Sequence, residues 1–166
     1  GNGAMNKNYI DDIENETGEI FFTSGNGITY VHRNGQPTYQ PFLYPYAGVN
    51  PANGEMQYLD INGNITTTPT ASDRRAVGKN FIPKYQGGFG FDFDYKGLFV
   101  GTLFSYVFDV VRYDFDYANA LDSSTNQIGQ FNVSNELLNA WTPANTNTDI
   151  PALDASNALQ ENSDRF

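Results

Sequence analysis

Oxygen-bearing side chains come first among the residues that could do chemistry in this sequence. Asp60, Asn62 and Asn64 have the alternate spacing with which a calcium loop begins, where successive oxygen ligands turn towards one ion. The glycine at the sixth loop position and the glutamate at the twelfth are missing. The acidic run from Asp11 to Glu19 has no regular ligand spacing. We therefore predict no metal site, and we interpret the first pattern as a turn and the second as a solvated edge.

Nucleophiles and bases are the second group of candidates. The sequence has no cysteine and a single histidine, His32, which stands beside Arg33 and is interpreted as a solvated loop residue. The carboxylates are scattered and have no partner that would position them for acid–base work. No glycine-rich phosphate loop precedes a helical pattern. We therefore predict no catalytic residues and no cofactor, and an enzyme ranks last among the functions considered.

The charge balance excludes one class of partner. Nine lysines and arginines stand against 19 aspartates and glutamates, which gives a formal net charge of -10. Nucleic-acid binding requires clusters of Lys and Arg to neutralise phosphates, whereas the basic residues here are scattered along the chain. We therefore expect no nucleic-acid partner.

The elements that must position any site are predicted to be strands. The 166 residues include 13 Phe, 11 Tyr and 16 Gly, a composition typical of aromatic-rich β-structure. Gly and Pro interrupt residues 20–58 so often that only short strands fit there. No stretch approaches the ~18 uninterrupted apolar residues of a membrane helix. The sequence therefore predicts an all-β fold.

The longest regular pattern runs from Tyr85 to Phe108. Aromatic side chains alternate with Gly or polar residues as far as Tyr95, and the alternation resumes at Leu98 after a Lys96-Gly97 turn. Period two over this length predicts two long antiparallel strands.

Three details of this hairpin favour a membrane over a soluble core. Its first strand has the ~11 residues of a tilted strand that crosses a bilayer. Tyr85 and Tyr95 stand at the ends of that strand, where membrane barrels place interfacial girdles. On the other face, Asp92 and Asp94 suit a wet lumen, because unpaired buried carboxylates are costly. A hairpin over a soluble core also alternates and remains the competing interpretation.

Two shorter elements are also predicted. Residues 56–60 and 65–68 read as a hairpin with a type I′ turn at Asn62-Gly63, because Asn-Gly accepts positive φ angles. Ser134 is expected to cap a short helix from Asn135 to Trp141.

The order of several short segments resembles the C-terminal half of SusC/RagA-type TonB-dependent transporters. Each segment is weak alone, but together they follow the family's order over nearly the whole chain. They are Asn6-Lys7-Asn8, residues 46–54, Asp73-Arg74 with Gly78-Lys79, Pro83-Lys84-Tyr85 with Gly87-Gly88-Phe89, Tyr95-Lys96-Gly97, Trp141-Thr142-Pro143 with residues 147–151, and Ser163-Asp164-Arg165-Phe166.

The resemblance implies part of a transmembrane antiparallel β-barrel, with one long hairpin, long extracellular loops and a short helix. Residues 1–10 would end a strand and residues 11–83 would form an extracellular loop region with short hairpins. Residues 84–109 would be the transmembrane hairpin, with its Lys96-Gly97 turn in the periplasm, and residues 110–166 would form an extracellular loop. The plug domain and most of the barrel are absent from this sequence, so we expect both ends to be truncations.

The resemblance also implies import of oligosaccharides or peptides across the outer membrane of a Gram-negative bacterium. A SusD-like surface lipoprotein would cap the barrel from outside, and TonB would act through the plug domain. Tyr39, Tyr44, Tyr46 and Trp141 are candidates for stacking on sugar faces, although packing inside the loops is the commoner role of such rings. The alternative is a secreted or surface soluble glycan-binding β-domain, in which the same aromatics would line a cleft.

Overall fold

The computed structural model describes residues 1–25, 27–122, 128–153 and 163–166. The strand ladders within these residues are antiparallel, so the all-β class predicted from the sequence is confirmed. Parts of the predicted outer loop, at 123–127 and 154–162, lie outside the described residues. In the part of the chain that is described, no helix combines the length and the apolar character needed to cross a membrane.

The elements follow one another in this order. They are β1 (Asn2–Met5), β2 (Glu19–Thr23), β3 (Thr29–Arg33), β4 (Gln40–Leu43), β5 (Tyr46–Val49), β6 (Met56–Leu59), β7 (Ile65–Thr66), a 3-10 helix at Ala71–Asp73, β8 (Arg75–Ala76), β9 (Tyr85–Tyr95), β10 (Leu98–Phe108), α1 (Phe115–Ala120) and a 3-10 helix at Asn135–Asn139.

The chain divides into two compact units, which we name the hairpin unit and the loop unit. The hairpin unit consists of Gly1–Phe22, Tyr30–Pro41 and Val77–Arg112. The loop unit consists of Thr23–Thr29, Phe42–Ala76 and Tyr113–Phe166.

The hairpin unit is built on β9 and β10, which pair along their full lengths. The register runs from Tyr85 opposite Phe108 to Tyr95 opposite Leu98. Lys96 and Gly97 connect the strands with φ angles of 49° and 86°, the two positive values of a type I′ turn. The long hairpin and the position of its turn, both predicted from the sequence, are confirmed. We call the Lys96-Gly97 end of the hairpin its turn end and the opposite end its open end.

β1 extends this sheet on the other side of β9. It pairs from Asn2 opposite Gly88 to Met5 opposite Tyr85, which gives the strand order β1-β9-β10. The Asn2 side-chain oxygen also accepts a hydrogen bond from the Gly88 N–H at 2.8 Å. β1 thus occupies the first half of the segment 1–10 that was expected to end a strand.

A second set of strands in the hairpin unit centres on β3, which lies between β2 and β4. Val31 of β3 stands opposite Gln40 of β4, and both side chains are fully buried. The Gln40 amide donates hydrogen bonds to Gln36 Oε1 at 2.8 Å and to the Pro37 carbonyl at 3.2 Å. A buried amide needs such partners, so these bonds hold the turn before β4 against the strand.

The loop unit has an apolar core of its own. Leu121, Leu137, Ala140 and Ile150 bury against one another, and Phe166 packs on this cluster. The sheet of this unit has the order β5-β6-β7, and the end of β4 pairs with β8.

The hairpin of β6 and β7 is present, but its turn is not the predicted type I′. In its loop, which is described throughout, Gly63 is the one residue with a positive φ, at 86°. The Gly63 N–H donates to the Asp60 carbonyl at 3.0 Å, and the Asp60 N–H donates to the Asn64 carbonyl at 2.8 Å. The Asp60 carboxylate accepts from the Asn62 and Asn64 N–H groups at 2.8 Å each. These bonds favour a three-residue loop ending in glycine, because an Asp side chain can cap its own turn.

The helical segments also differ from the prediction. Ser134 is the cap, and its Oγ accepts a hydrogen bond from the Glu136 N–H at 3.2 Å, but the 3-10 helix that follows ends at Asn139. Helix α1 was not predicted. Its cap is Asp114, whose carboxylate accepts from the Tyr117 N–H at 3.0 Å. Six residues are too few to display a helical period in the sequence.

Candidate functional site

One side of the hairpin presents a continuous apolar surface. Cross-strand partners share a face, so the register joins the aromatic side of β9 to the apolar side of β10. We call this surface the aromatic face. It carries Tyr85, Phe89, Phe91, Phe93, Tyr95, Leu98, Val100, Phe104, Tyr106 and Phe108. Phe91, near the middle of β9, is 56% exposed, and most of the others are exposed as well. A surface of this kind indicates an apolar neighbour.

The opposite side of the hairpin has a mixed character. Asp92 stands opposite Gly101 and Asp94 opposite Phe99, and both carboxylates lie on the exposed face turned away from the aromatic one. The same face carries Leu103, which is 85% exposed. This mixed face therefore combines charged groups with separate apolar side chains.

A cavity of about 320 Å³ lies at the open end of the hairpin, in the hairpin unit. Lys7, Lys79 and Lys84 line it, and among the described lining residues Asp109 is the one acidic side chain. Lys79 Nζ lies 3.0 Å and Lys84 Nζ 3.9 Å from carboxylate oxygens of Asp109. We call this site the lysine cavity. Its wall is locally cationic, although the chain carries a net charge of -10.

The wall of the lysine cavity is held by a network of side-chain amides. Asn8 Oδ1 accepts hydrogen bonds from the N–H and the hydroxyl of Thr38 and from Asn80 Nδ2, each at 3.0 Å. Asn80 is buried, and its Oδ1 accepts from the Ile82 N–H at 3.0 Å. The Asn80 carbonyl accepts from the Val111 N–H at 3.0 Å. Asn8 and Asn80, which follow Lys7 and Lys79 in the sequence, are therefore held in place by hydrogen bonds.

Tyr39 belongs to a cluster of five rings in the hairpin unit. Its ring centroid lies 4.8 Å from that of His32, 5.1 Å from Phe81 and 5.5 Å from Phe22, and Tyr30 completes the cluster. The backbone of Tyr39 is left-handed, with φ 53°, and 38% of the residue is exposed. His32 is a partly buried residue of β3, so its interpretation as a solvated loop residue is wrong. The rings of Phe22 and Tyr39 explain this partial burial, because both pack against the imidazole.

Tyr44 and Tyr46 lie on either side of Tyr58 in the loop unit, with ring centroids 6.4 and 5.9 Å from the Tyr58 ring. Tyr44 is 8% exposed, and the Arg74 guanidinium lies 4.7 Å from its ring centroid. The Arg165 guanidinium stacks over Tyr46 at 5.2 Å. Burial raises the pKa of both Tyr46 and Tyr58, which keeps the two hydroxyls protonated as donors.

Trp141 also packs inside the loop unit. Its indole Nε1–H donates to the Pro51 carbonyl at 3.0 Å. Its ring covers Gly54, where an added Cβ would come within 2.7 Å of the indole. The Gly54 carbonyl accepts from the Ala152 N–H at 3.0 Å. The structure therefore brings Trp141 to the segment 46–54 and gives its polar atom a protein partner.

The C-terminal segment joins the same unit. The Asp164 N–H donates to the Tyr44 carbonyl at 3.0 Å, and the Asp164 carboxylate accepts from the Tyr46 N–H at 2.7 Å. Arg165 donates to the Asp149 carbonyl at 2.9 Å. Segments 46–54, 141–151 and 163–166, which were singled out separately in the sequence, thus contact one another.

The sequence analysis did not predict the lysine cavity. Lys7, Lys79 and Lys84 each stand in or beside a segment that carries the family resemblance, which was the available signal. No spacing rule relates residue 7 to residues 79 and 84. Only the pairing of β1 with β9 brings these lysines to one end of the sheet.

Comparisons with known proteins agree on one kind of relative. No family profile matches the chain. A TonB-dependent receptor P3 of Formosa agariphila is 26% identical over 174 aligned positions, which cover 90% of this chain and 16% of that protein. The chain therefore spans about one sixth of the length of this curated relative.

Solved structures of the RagAB peptide transporter have the same fold over a similar extent. One structure covers 92% of this chain at 21% identity, with a TM-score of 0.64 and 16% of its own chain aligned. The importer in the open-open state gives a TM-score of 0.73 at 21% identity, over 93% of this chain and 16% of that chain. The closed-closed state gives 0.69 at 22% identity, over 93% and 17%. The resemblance stated from the sequence is confirmed: the chain is similar, in sequence and in fold, to a segment of the SusC/RagA-type TonB-dependent transporters.

Proposed function

We propose that this chain is part of a TonB-dependent outer-membrane importer, and that β9 and β10 are two of its membrane-crossing strands. The importer takes up oligosaccharides or peptides, works with a SusD-like surface lipoprotein and receives energy from TonB through a plug domain. The similarity to a TonB-dependent receptor and the fold shared with RagAB support this proposal.

The observation that carries the proposal is the exposed aromatic face of the hairpin. Phe89, Phe91, Phe93 and Phe104 are all about half exposed. In water such a surface would drive association, whereas lipid chains satisfy it. The strands have 11 residues each, which is the length that crosses a bilayer at a tilt. The strand edges would be paired by further strands of a closed barrel.

The proposed orientation of the hairpin also assigns its other face, its turn end and the loops. With the aromatic face towards lipid, Asp92 and Asp94 face the lumen, where water solvates their carboxylates. The turn end lies in the periplasm, and residues 11–83 and 110–166 form outside loops. Leu138 of the second loop is almost fully exposed, which suits a surface that a lipoprotein covers.

The candidate sugar-stacking residues divide by exposure. Tyr39 is the most exposed of the four and is therefore the best placed. Tyr46 and Trp141 are partly exposed but already have protein partners at their rings or polar atoms. Tyr44 is buried, so we assign it to the support of Tyr58.

Membrane fractionation of cells that express the full-length protein tests the proposal. The protein should sediment with outer membranes, resist a carbonate wash and migrate as a heat-modifiable band after detergent extraction. A soluble periplasmic protein in the same cells is the control. Deletion of the gene should abolish uptake of labelled oligosaccharide or peptide.

Recovery of the full-length protein in the soluble fraction would overturn the proposal. It would favour the secreted glycan-binding β-domain, which requires the rings of the aromatic face to be buried within a soluble fold.

A further inference from the structure

We propose that the lysine cavity binds the carboxylate group of an acidic substrate at the open end of the hairpin. This inference rests on the proposed function, since it takes the open end of the hairpin as the outer end. It adds a ligand chemistry that neither the sequence pattern nor the similar proteins supply.

The strand register puts the lysine cavity directly beyond the open end of the hairpin sheet. The Asn6 N–H donates to the Lys84 carbonyl at 2.8 Å, and the Lys84 N–H donates to the Asp109 carbonyl at 3.3 Å. These three residues therefore form the row next to Met5, Tyr85 and Phe108. Lys84 directly precedes β9 and Asp109 directly follows β10, and Lys84 Nζ lies 5.3 Å from the centroid of the Tyr85 ring. A phosphate group is the competing anion, and the probes below separate it from a carboxylate.

The charges in the lysine cavity favour an anion. Asp109 contacts two ammonium groups, of Lys79 and Lys84. Lys7 has no ion pair among the described residues, so three cations share a single carboxylate. Lys79 and Lys84 remain about half exposed at their side chains, at 56% and 43%, and can donate to a further group. An ammonium group has three N–H donors, so a contact with one carboxylate leaves others available to a ligand.

The backbone at Asp109 keeps this arrangement in place. Its φ of 55° is in the left-handed region, which Asp tolerates better than most residues. Asp109 directly follows β10, and its carboxylate contacts Lys79. Asp109 is therefore a positioning residue, whose carboxylate draws the two ammonium groups to the wall of the cavity.

The size of the cavity sets the size of the ligand portion it can hold. About 320 Å³ is at the low end of small-molecule sites, which are ~300–1,000 Å³. One or two terminal units of a longer chain fit, with the rest outside. A uronic-acid sugar or an acidic peptide residue supplies the carboxylate at that scale.

Titration of the purified full-length protein tests this inference, using preparations already shown to come from the outer membrane. The acidic probes are trigalacturonate and triglutamate amide. Their neutral counterparts are methyl-esterified trigalacturonate and triglutamine amide. We expect at least one acidic probe to bind about tenfold more tightly than its counterpart, with the difference shrinking as salt rises. The probe that binds identifies the source of the carboxylate.

Matched lysine variants locate the site. Lys7→Gln removes a cation that holds no structural ion pair, and we expect it to weaken the acidic probe about three- to tenfold. Lys96→Gln makes the same change at the turn end, roughly 40 Å away along the strand, and should change nothing. Lys84→Gln should act like Lys7→Gln if the barrel folds, which the heat-modifiable band reports.

Three results would overturn the inference while leaving the proposed function intact. The first is equal binding of acidic and neutral probes, including no binding of either. The second is equal weakening by Lys7→Gln and Lys96→Gln. The third is lysine-dependent binding of a phosphate ligand, glucosamine 1-phosphate, without binding of either carboxylate probe.

Discussion

At the scale of single residues, glycines decide where side chains of the sheet can lie. Gly87 stands opposite Tyr106 in the register and opposite Gly3 on the other side. A Cβ on Gly87 would lie 2.4 Å from the Asn2 carbonyl oxygen and 2.5 Å from the Tyr106 hydroxyl, and one on Gly3 would lie 2.9 Å from that hydroxyl. The Tyr106 ring therefore lies across two glycines, as aromatic side chains do when they cover glycine in a sheet.

Gly87→Ala should destabilise the folded protein, because the Tyr106 ring and the backbone of β1 must both move. We expect a loss of about 1–3 kcal/mol, as for overpacking in a well-packed core. The temperature at which the heat-modifiable band disappears measures it. Gly101→Ala is the control, since its Cβ would first meet the end of a side chain, the Asp92 carboxylate, at 3.0 Å rather than the backbone. Equal shifts from the two variants would contradict this role of Gly87.

Phe91 and Asp92 are neighbours that we assign to opposite environments. In the full-length protein, Phe91→Lys should cost ~2–4 kcal/mol, because it places a charge near the bilayer midplane. Asp92→Lys puts the same side chain on the lumen face, where water solvates it, and should cost much less. The amount of folded barrel recovered from outer membranes measures both. Equal losses would show that the faces are assigned wrongly.

At the scale of elements, carboxylates close the short loops of the loop unit. Asp60 caps the β6–β7 loop, and Asp73 accepts hydrogen bonds from the Ile61 N–H at 2.8 Å and from the Thr70 N–H at 2.6 Å. The Asn64 side chain is the largest cause of the lowered pKa of Asp60, and the Thr70 backbone is the largest cause for Asp73. Both carboxylates are therefore stabilised in their charged form.

The β6–β7 loop should loosen in acid. The folded pKa of Asp60 is depressed, so its stabilisation is present above the unfolded value of about 4 and is lost as pH falls through the folded pKa. Hydrogen-exchange protection of the Asn62 and Asn64 amides, corrected for intrinsic rates, should therefore be constant from pH 7 to about 5 and fall below about 4. Asp60→Asn should lower protection at neutral pH and remove the acid step. An acid step of unchanged size in that variant would assign it to another group.

At the scale of the whole molecule, the aromatic face limits how this chain can exist alone. An isolated hairpin is marginal in water even without such a surface. The outer edges of β1 and β10 also carry backbone groups that a closed barrel would pair. The chain should therefore behave as part of a larger assembly.

The isolated 166-residue chain should not form a soluble compact monomer. Without detergent we expect aggregates on size-exclusion chromatography and no cooperative melt, because the aromatic face seeks apolar contact. Replacing Phe89, Phe91, Phe93 and Phe104 by Ser should increase the soluble fraction. The same number of Ser replacements at exposed residues outside the long hairpin, Tyr9, Phe21, Ile61 and Phe131, should do so far less. A cooperative, detergent-free monomer of the unaltered chain would contradict the membrane assignment.

The sequence by itself determined the hairpin, its turn and its two faces. These features are local, since alternation along a strand fixes which side chains share a face, and Gly97 accepts the positive φ that the turn requires. The order of short segments also carried the family resemblance. Where two local solutions compete, as at Asp60 to Asn64, the sequence predicted the hairpin but not the turn type.

The tertiary structure alone decided which distant residues meet. Lys7 and Lys84 line one cavity only because β1 pairs with β9, and Trp141 covers Gly54 only because the loop unit folds around its core. Tyr44 became a buried residue and Tyr39 a half-exposed one, although both are aromatic residues of Pro-rich segments. Such contacts depend on how the chain closes between segments far apart in sequence. Hydrophobic periodicity does not predict which distant segments meet, because each segment is compatible with many partners until the others are in place.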